Sequence, residues 1–306
     1  MPQPLRIIFM GTPSFSVYSL EALQDAGHTL QAVYTQPPRP AGRGHKEKKS
    51  PVHEAVENMG IAVRTPARLK GEALEALLQP PCDVIVVVGY GMLLPQKVLD
   101  HAPCINVHPS ALPRWRGPAP IQYALLHGDT YLDICIMQLE LGMDTGPVYM
   151  REAYPLPADA TFGDVNDSIW RRGAQMLTAV LDNWGAVQPV PQAGEATYSK
   201  KFDASFRAIE WSDTAENIHN KIRSLSPTPG AVCSYAGEQI KVVRTAVAGG
   251  LLGNPGEIMD VNANGIVVAC GEGAVVIQSL QRAGRQAMAS ADFLRGFPLN
   301  VGDVLQ

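Results

Sequence analysis

Asn106, His108 and Ser110 place an amide, an imidazole and a hydroxyl at every second position of the segment CINVHPS. Side chains along a strand repeat every two residues, so these three share one face at the strand's end. Pro109, Pro113, Pro118 and Pro120 then stiffen the chain, with Arg114 and Arg116 among them. Further on, Leu141-Gly142-Met143-Asp144-Thr145-Gly146 sets one carboxylate in a glycine-flanked turn after another strand-like run. Glycines there allow a tight backbone path that would push Asp144 into a crevice. Taken singly, His108 reads equally as a structural hydrogen-bonder, Asn106 as a turn former and Asp144 as a cap. Together they make a chemical set. An amide N–H can stabilise an oxyanion, an imidazole can donate or relay a proton, and a carboxylate can orient the imidazole. Ser110 lies in a proline turn and no G-x-S-x-G elbow exists, so a serine nucleophile is excluded. The set suits acyl transfer to an acceptor that brings its own nucleophile.

The elements that must hold these groups are legible as alternating strands and helices. LRIIFM (5–10), LQAVYT (30–35), IAV (61–63), DVIVVVG (83–89) and CINVH (104–108) read as short strands, and the near-continuous Val84–Val88 run fits a parallel strand covered on both faces. Helices fall between them at Ser14–Asp25, with Ser14 as its expected N-cap, at Pro51–Met59 and at Glu72–Leu78. The pattern predicts an α/β fold with a doubly wound, mostly parallel sheet whose ligand site lies beyond the strands' C-terminal ends, where Asn106, His108 and Ser110 stand. LDICIM and PVYM follow as antiparallel strands, then a long helix from about Thr161 to Trp184 opened by Thr161-x-x-Asp164. Residues 186–207 carry prolines and lysines without a period and read as a linker. A helix opened by Asp213-x-x-Glu216, with Ile218, Ile222 and Leu225 as its apolar stripe, precedes crowded short strands that suggest a small OB-like β-barrel.

Composition narrows the function classes. The 306 residues are 46% hydrophobic and 18% charged, ordinary for a folded chain of two domains. A formal charge of −4 gives no general affinity for nucleic acid, which would need a local basic patch. Cys82, Cys104, Cys135, Cys233 and Cys270 are scattered singly, with no C-x-x-C pair, so neither a zinc site nor a disulfide framework is indicated. The apolar run Ile7–Met10 ends at Gly11-Thr12-Pro13, which is no secretory pattern, and the expected home is a reducing cytoplasm. Gly11-Thr12-Pro13 lacks the remaining glycines of a dinucleotide fingerprint, and AGRGHKEKKS lacks the Gly-Lys-Ser/Thr of a P-loop, so nicotinamide and ATP are not expected.

NVHPSALPRWRGPAPIQYAL with the later GMDTG resembles the N-x-H-x-S-L-L-P-x-x-R-G-x-x-P and D-T-G signatures of the 10-formyltetrahydrofolate-dependent formyltransferases. IIFMGTPSFS, YTQPPRPAGRG, VVGYGMLLP and SPTPGA extend the resemblance, in order and spacing, nearly end to end. Two departures stand out: Ala111 where the family usually has Leu, and Pro109 where Gly or Ala is common. The resemblance implies a Rossmann-like catalytic domain over 1–185, a linker over 186–207 and an OB-like tRNA-binding domain over 208–306. It implies Asn106, His108 and Asp144 as the catalytic trio. Ser110, Ala111, Leu112 and Pro113, with Tyr90, Gly91, Met92 and Leu93, are then expected to line the site of 10-formyltetrahydrofolate, the co-substrate. The acceptor implied is the free amino group of initiator methionyl-tRNA, with no metal, no membrane partner and a monomeric chain.

Arg39, Arg43, Lys46, Lys48 and Lys49 form a basic insertion opposed within the run only by Glu47. By its residues it reads as a solvated loop; by the resemblance it is the leading tRNA contact. Lys200, Lys201, Lys241, Arg244, Arg282 and Arg285 could continue a phosphate track. Three rivals remain: a sugar-amine N-formyltransferase, which would not need the basic loop; a glycinamide ribonucleotide transformylase, which would lack the barrel; and a non-catalytic nucleic-acid binder, in whose barrel Tyr235 stands nearly alone as a stacking platform.

Overall fold

A computed structural model of the chain describes residues 3–41, 46–249 and 253–306. In chain order the first elements are β1 (Arg6–Gly11), α1 (Ser14–Asp25), β2 (Thr29–Tyr34), β3 (Arg39–Ala41), β4 (Lys46–Lys48), α2 (Pro51–Asn58), β5 (Val63–Arg64) and α3 (Glu72–Leu78). Then come β6 (Val84–Val88), α4 (Gln96–Leu99), β7 (Cys104–His108), α5 (Pro120–Leu126), β8 (Tyr131–Gln138), β9 (Val148–Pro155) and α6 (Phe162–Asp182). After a 3₁₀ turn at Ser205–Arg207 follow α7 (Ala215–Leu225), β10 (Ala231–Tyr235), β11 (Glu238–Ala248), β12 (Ile258–Asn262), β13 (Gly265–Ala269), β14 (Ala274–Arg282), β15 (Met288–Ala289) and α8 (Ser290–Gly296).

The chain divides into two compact units that interleave in sequence: Met1–Gly117, Asp133–Tyr154 and Asp167–Tyr198 make the first, and Pro118–Leu132, Pro155–Asn166 and Ser199–Gln306 the second. The first unit holds a seven-stranded sheet in the order β5-β2-β1-β6-β7-β8-β9. Its five leading strands run parallel, and β8 turns antiparallel to β7, pairing Cys135 with His108 and Met137 with Asn106. All five residues of β6 are buried, as a strand covered on both faces requires. Val107 points to the face opposite Asn106 and His108, and α6 packs there at close range: a Cβ on Gly173 would lie 2.5 Å from Val107 Cγ1. The Gly11-Thr12-Pro13 turn is likewise a packing device, since a Cβ on Gly11 would meet Ser16 Cβ at 2.9 Å and Val88 O at 3.0 Å.

The second unit is an antiparallel sheet in the order β10-β11-β14-β13-β12, with β15 paired to β14. The chain's last residues join its two edge strands: Val304 bridges Glu257 beside β12, while Ser234 of β10 exchanges backbone hydrogen bonds with Gln306. Ile218, Ile222 and Leu225 of α7 enter this unit's core with Trp211 and Phe293, as their spacing predicts. Asp164 and Thr161 cap each other reciprocally, Asp164 Oδ2 accepting from Thr161 N at 2.9 Å and Thr161 Oγ1 from Asp164 N at 3.3 Å. Two caps differ from expectation. Pro13, not Ser14, is the N-cap of α1, because its fixed φ suits the entry and Ser14 already starts the helix. Thr214, not Asp213, caps α7, accepting from Asn217 N, while Asp213 supports it by accepting from Thr214 N. No helix among the described residues is long and apolar enough to cross a membrane.

Candidate active site

The C-terminal ends of β6 and β7 deliver the polar set to one corner of the first unit. His108 is 4% exposed; its Nε2 lies 3.2 Å from the Trp115 carbonyl and its Nδ1 3.7 Å from Asp144 Oδ2. Both ring nitrogens therefore face oxygen atoms. Asp144 Oδ2 also accepts from the Gly117 N–H at 2.7 Å, which fixes the same oxygen that faces the ring.

The backbone here is unusual at two non-glycine residues. Asp144 itself has φ 52° and Trp115 has φ 57°, left-handed angles that cost a non-glycine residue about 1–3 kcal/mol. Gly142 and Gly146 serve close approach instead: a Cβ on Gly146 would sit 2.0 Å from Gln138 O, and one on Gly142 would sit 2.5 Å from Thr145 Oγ1.

Asn106 and Asp144 face a cavity of about 290 Å³ whose other walls are Val87, the Gly89–Leu94 segment and the Leu139–Met143 turn. The Asn106 carboxamide has no hydrogen-bond partner among the described residues. Tyr90 is buried, which pushes its phenol up from the ordinary tyrosine value, and its hydroxyl lacks a partner among the described residues. Its carbonyl is pinned by Thr12 Oγ1 at 3.0 Å and Gln36 Nε2 at 3.2 Å, which holds the Tyr90–Leu93 wall in place. Leu93, Leu141 and Met143 are 88%, 69% and 56% exposed and give the cavity an apolar rim.

Ser110, Leu112 and Pro113 are buried behind this corner rather than along that wall. Leu112 packs with Cys135, Met137 and Val148, its carbonyl accepts from Arg151 Nη2 at 2.6 Å, and the Ser110 hydroxyl has no partner among the described residues. Ala111 between them is half-buried. This stretch is a rigid backing to the trio.

Sequence reasoning missed the groups that hold the trio in register. Trp115 O and Gly117 N are main-chain atoms and leave no side-chain signature. Gln192 and Thr197 lie in the segment read as a linker, yet both reach this corner. Among the described residues, no cluster of His, Cys, Asp and Glu is placed to hold a metal ion.

The basic insertion forms the β3–β4 hairpin, Arg39 opposite Lys48 and Ala41 opposite Lys46. Arg43 lies outside the described residues. Arg39 donates to Gln36 Oε1 at 2.8 Å, the same Gln36 that binds the Tyr90 carbonyl. Lys49 is less available than its sequence suggests, because both Glu57 oxygens lie 2.7 Å from its Nζ. Two members of the expected phosphate track are also committed elsewhere: Arg244 pairs with Asp164 and Arg282 with Glu238, each at 2.7 Å.

Comparison with known proteins bears on this geometry. Residues 5–181 match the formyl transferase family and residues 201–298 match the formyl transferase C-terminal domain. The methionyl-tRNA formyltransferase of Ruegeria pomeroyi is 46% identical over 303 residues, covering 97% of this chain and 99% of that protein. Among solved structures, the methionyl-tRNA formyltransferase of Clostridium thermocellum aligns with a TM-score of 0.55 at 18% identity, over 79% of this chain and 93% of that one. An N-formyltransferase of Helicobacter canadensis, solved with folinic acid and dTDP-3-aminofucose, aligns at 0.65 and 15% identity over 94% of this chain and all of that one, 100%. Near-complete coverage at high identity, with the polar trio gathered at one strand end, decides the matter: the chain belongs to the methionyl-tRNA formyltransferase family of formyl transferases.

Proposed function

We propose that the chain transfers the formyl group of 10-formyltetrahydrofolate to the α-amino group of initiator methionyl-tRNA, giving N-formylmethionyl-tRNA for translation initiation in the cytoplasm. The observation that carries this reading is the 46% identity to a methionyl-tRNA formyltransferase along almost all of both chains. Fold likeness alone leaves the acceptor open, because a sugar-amine enzyme aligns as well as a tRNA enzyme does.

The cavity beside Asn106 suits the folate. Its volume is near the lower end of the ~300–1,000 Å³ common for small-molecule sites, enough for a flat heteroaromatic ring, and its apolar rim can cover the remainder. Tyr90, Gly91, Met92 and Leu93 form its wall, while Ser110, Ala111, Leu112 and Pro113 support the residues that touch the ligand. The bound folate supplies an activated formyl carbon on its N10 nitrogen.

The chain's own residues do the rest. The unpartnered Asn106 amide donates to the formyl oxygen as charge gathers there. His108, its ring set by Trp115 and Asp144, passes the proton shed by the attacking amine to the departing nitrogen. Asp144 keeps the ring oriented. The amine of an aminoacyl ester is largely neutral at cytoplasmic pH, so placement outweighs base strength. Arg39, Arg43, Lys46, Lys48 and Lys49 would meet the tRNA backbone. Residues 1–185, with the Gln192–Thr197 segment bound to their catalytic turns, carry the chemistry, and 208–306 supply further contacts to the tRNA.

The direct test is transfer of a labelled formyl group from the folate onto purified initiator methionyl-tRNA, with an amino-sugar nucleotide as the competing acceptor. Label in the tRNA alone supports the reading; label in the sugar alone moves the chain to the rival branch.

A further inference from the structure

Residues 190–197 tie together the two turns on which the trio depends. Gln192 Nε2 donates to the main-chain carbonyls of Asp144 and Gly146, each at 2.8 Å, and its Oε1 accepts from Arg116 Nε at 3.2 Å and Nη2 at 2.7 Å. Arg116 stands between Trp115, whose carbonyl faces His108, and Gly117, whose N–H holds the Asp144 carboxylate. Thr197 repeats the connection one turn on: its hydroxyl accepts from Trp115 N at 3.0 Å and its carbonyl from Arg116 N at 2.9 Å. Val190 bridges Val148 just past the Asp144 turn.

We propose that Gln192 is a positioning residue for formyl transfer, holding the Asp144 turn against the Trp115–Gly117 turn so that the carboxylate meets His108 at a fixed angle. Two features make this more than packing. Asp144 and Trp115 both carry left-handed φ angles, and such conformations persist only where surrounding contacts over-determine them. Only a primary amide can do what Gln192 does here, since it offers two N–H groups to two carbonyls while its oxygen receives a guanidinium. Glutamate has the same length and could still receive Arg116, but it has no proton for the carbonyls of Asp144 and Gly146.

The kinetic part of the test rests on the formyl-transfer reading, and the wild-type chain serves as its control. Gln192→Glu and Gln192→Met should lower kcat by roughly 10- to 100-fold, as expected when a catalytic group is displaced by about 1 Å, while KM for folate and for methionyl-tRNA stays put. In an Asp144→Asn background the same substitutions should cost almost nothing more, because both changes act through one carboxylate. A wild-type kcat in both Gln192 variants overturns the proposal. So does full additivity with Asp144→Asn, or a loss confined to KM. A second measurement needs no substrate: exchange of the Gly117 amide proton should accelerate in Gln192→Glu, with the global melting temperature held. Unchanged Gly117 protection overturns the proposal whether or not the chain formylates tRNA, whereas an inactive wild type overturns only the functional reading.

Discussion

At the end of β7, His108 and Asp144 are held from several sides, whereas beside the β3–β4 hairpin Arg39, Lys48 and Lys49 are held singly or not at all. His108 touches Trp115 and Asp144, and Asp144 in turn is fixed by Gly117 and by Gln192. On the hairpin, Arg39 leans on Gln36, Lys49 on Glu57, and Lys48 has no partner among the described residues. The contrast fits the two kinds of work proposed for these groups. Stabilising a developing oxyanion requires donors already in place, since reorganising them at the moment of reaction would cancel the gain. Neutralising phosphates requires charge density and reach, and tolerates motion.

Removing the preorganised donors should therefore have the largest effect. Asn106→Ala and His108→Ala are each expected to cut kcat by roughly 10²–10³ with folding intact, the usual loss for one oxyanion donor or one proton-transfer group. Near-normal turnover by either folded variant would remove that residue from the chemistry.

Moving the donors without deleting them should cost less. Gly173→Ala would drive a methyl group into Val107, which stands in the same strand between Asn106 and His108. Overpacking of this sort costs about 1–3 kcal/mol, read as a lower unfolding midpoint, and it should lower kcat before KM. If kcat and stability both match wild type, the spacing of α6 behind β7 does not set the corner's geometry.

The hairpin should respond in a different currency. Arg39→Ala with Lys48→Ala should leave kcat at saturating tRNA intact, raise KM for methionyl-tRNA, and flatten the log–log salt dependence by about 0.7–0.9 per lost phosphate contact. Lys49→Ala should matter less, because Glu57 already holds that ammonium and keeps its own carboxyl below the usual range through the Lys49 hydrogen bond. Equal effects from Arg39 and Lys49 would show that the ion pair opens freely on binding tRNA.

A second buried histidine offers the smallest and sharpest control. His219 in the second unit is 6% exposed, with Nδ1 3.0 Å from Thr245 Oγ1, and burial lowers its pKa despite nearby Asp159. Because the folded value lies below the unfolded one, its stability contribution is present above the unfolded pKa of about 6.5 and fades as pH falls toward the folded value. Thermal unfolding followed from pH 7 downward should show that loss, reduced in His219→Gln, whose kcat at neutral pH should equal wild type. A catalytic defect in His219→Gln would break the distinction between burial and chemistry.

Much of this was legible in order along the chain. Period-two alternation at Asn106, Val107 and His108 placed two donors on one face, and the structure puts Val107 against α6 on the other. The Thr161–Asp164 box and the α7 stripe were equally readable, because each depends on residues within a turn or two. Other features escaped for a common reason. Pairs such as Arg244 with Asp164 and Arg282 with Glu238 join positions too distant in sequence for any local pattern to mark.

The sequence by itself determined which groups could do chemistry, the strand that presents them, and the family to which the motifs point. Side-chain type and short-range periodicity are written residue by residue, so these needed no third dimension. Tertiary structure alone decided how the groups are held: the Trp115 carbonyl and Gly117 N–H around His108 and Asp144, the withdrawal of Ser110 and Leu112 from the cavity wall, and the arrival of Gln192 from an apparently featureless linker. Every residue carries a main-chain donor or acceptor, and only the folded path selects which of them meet.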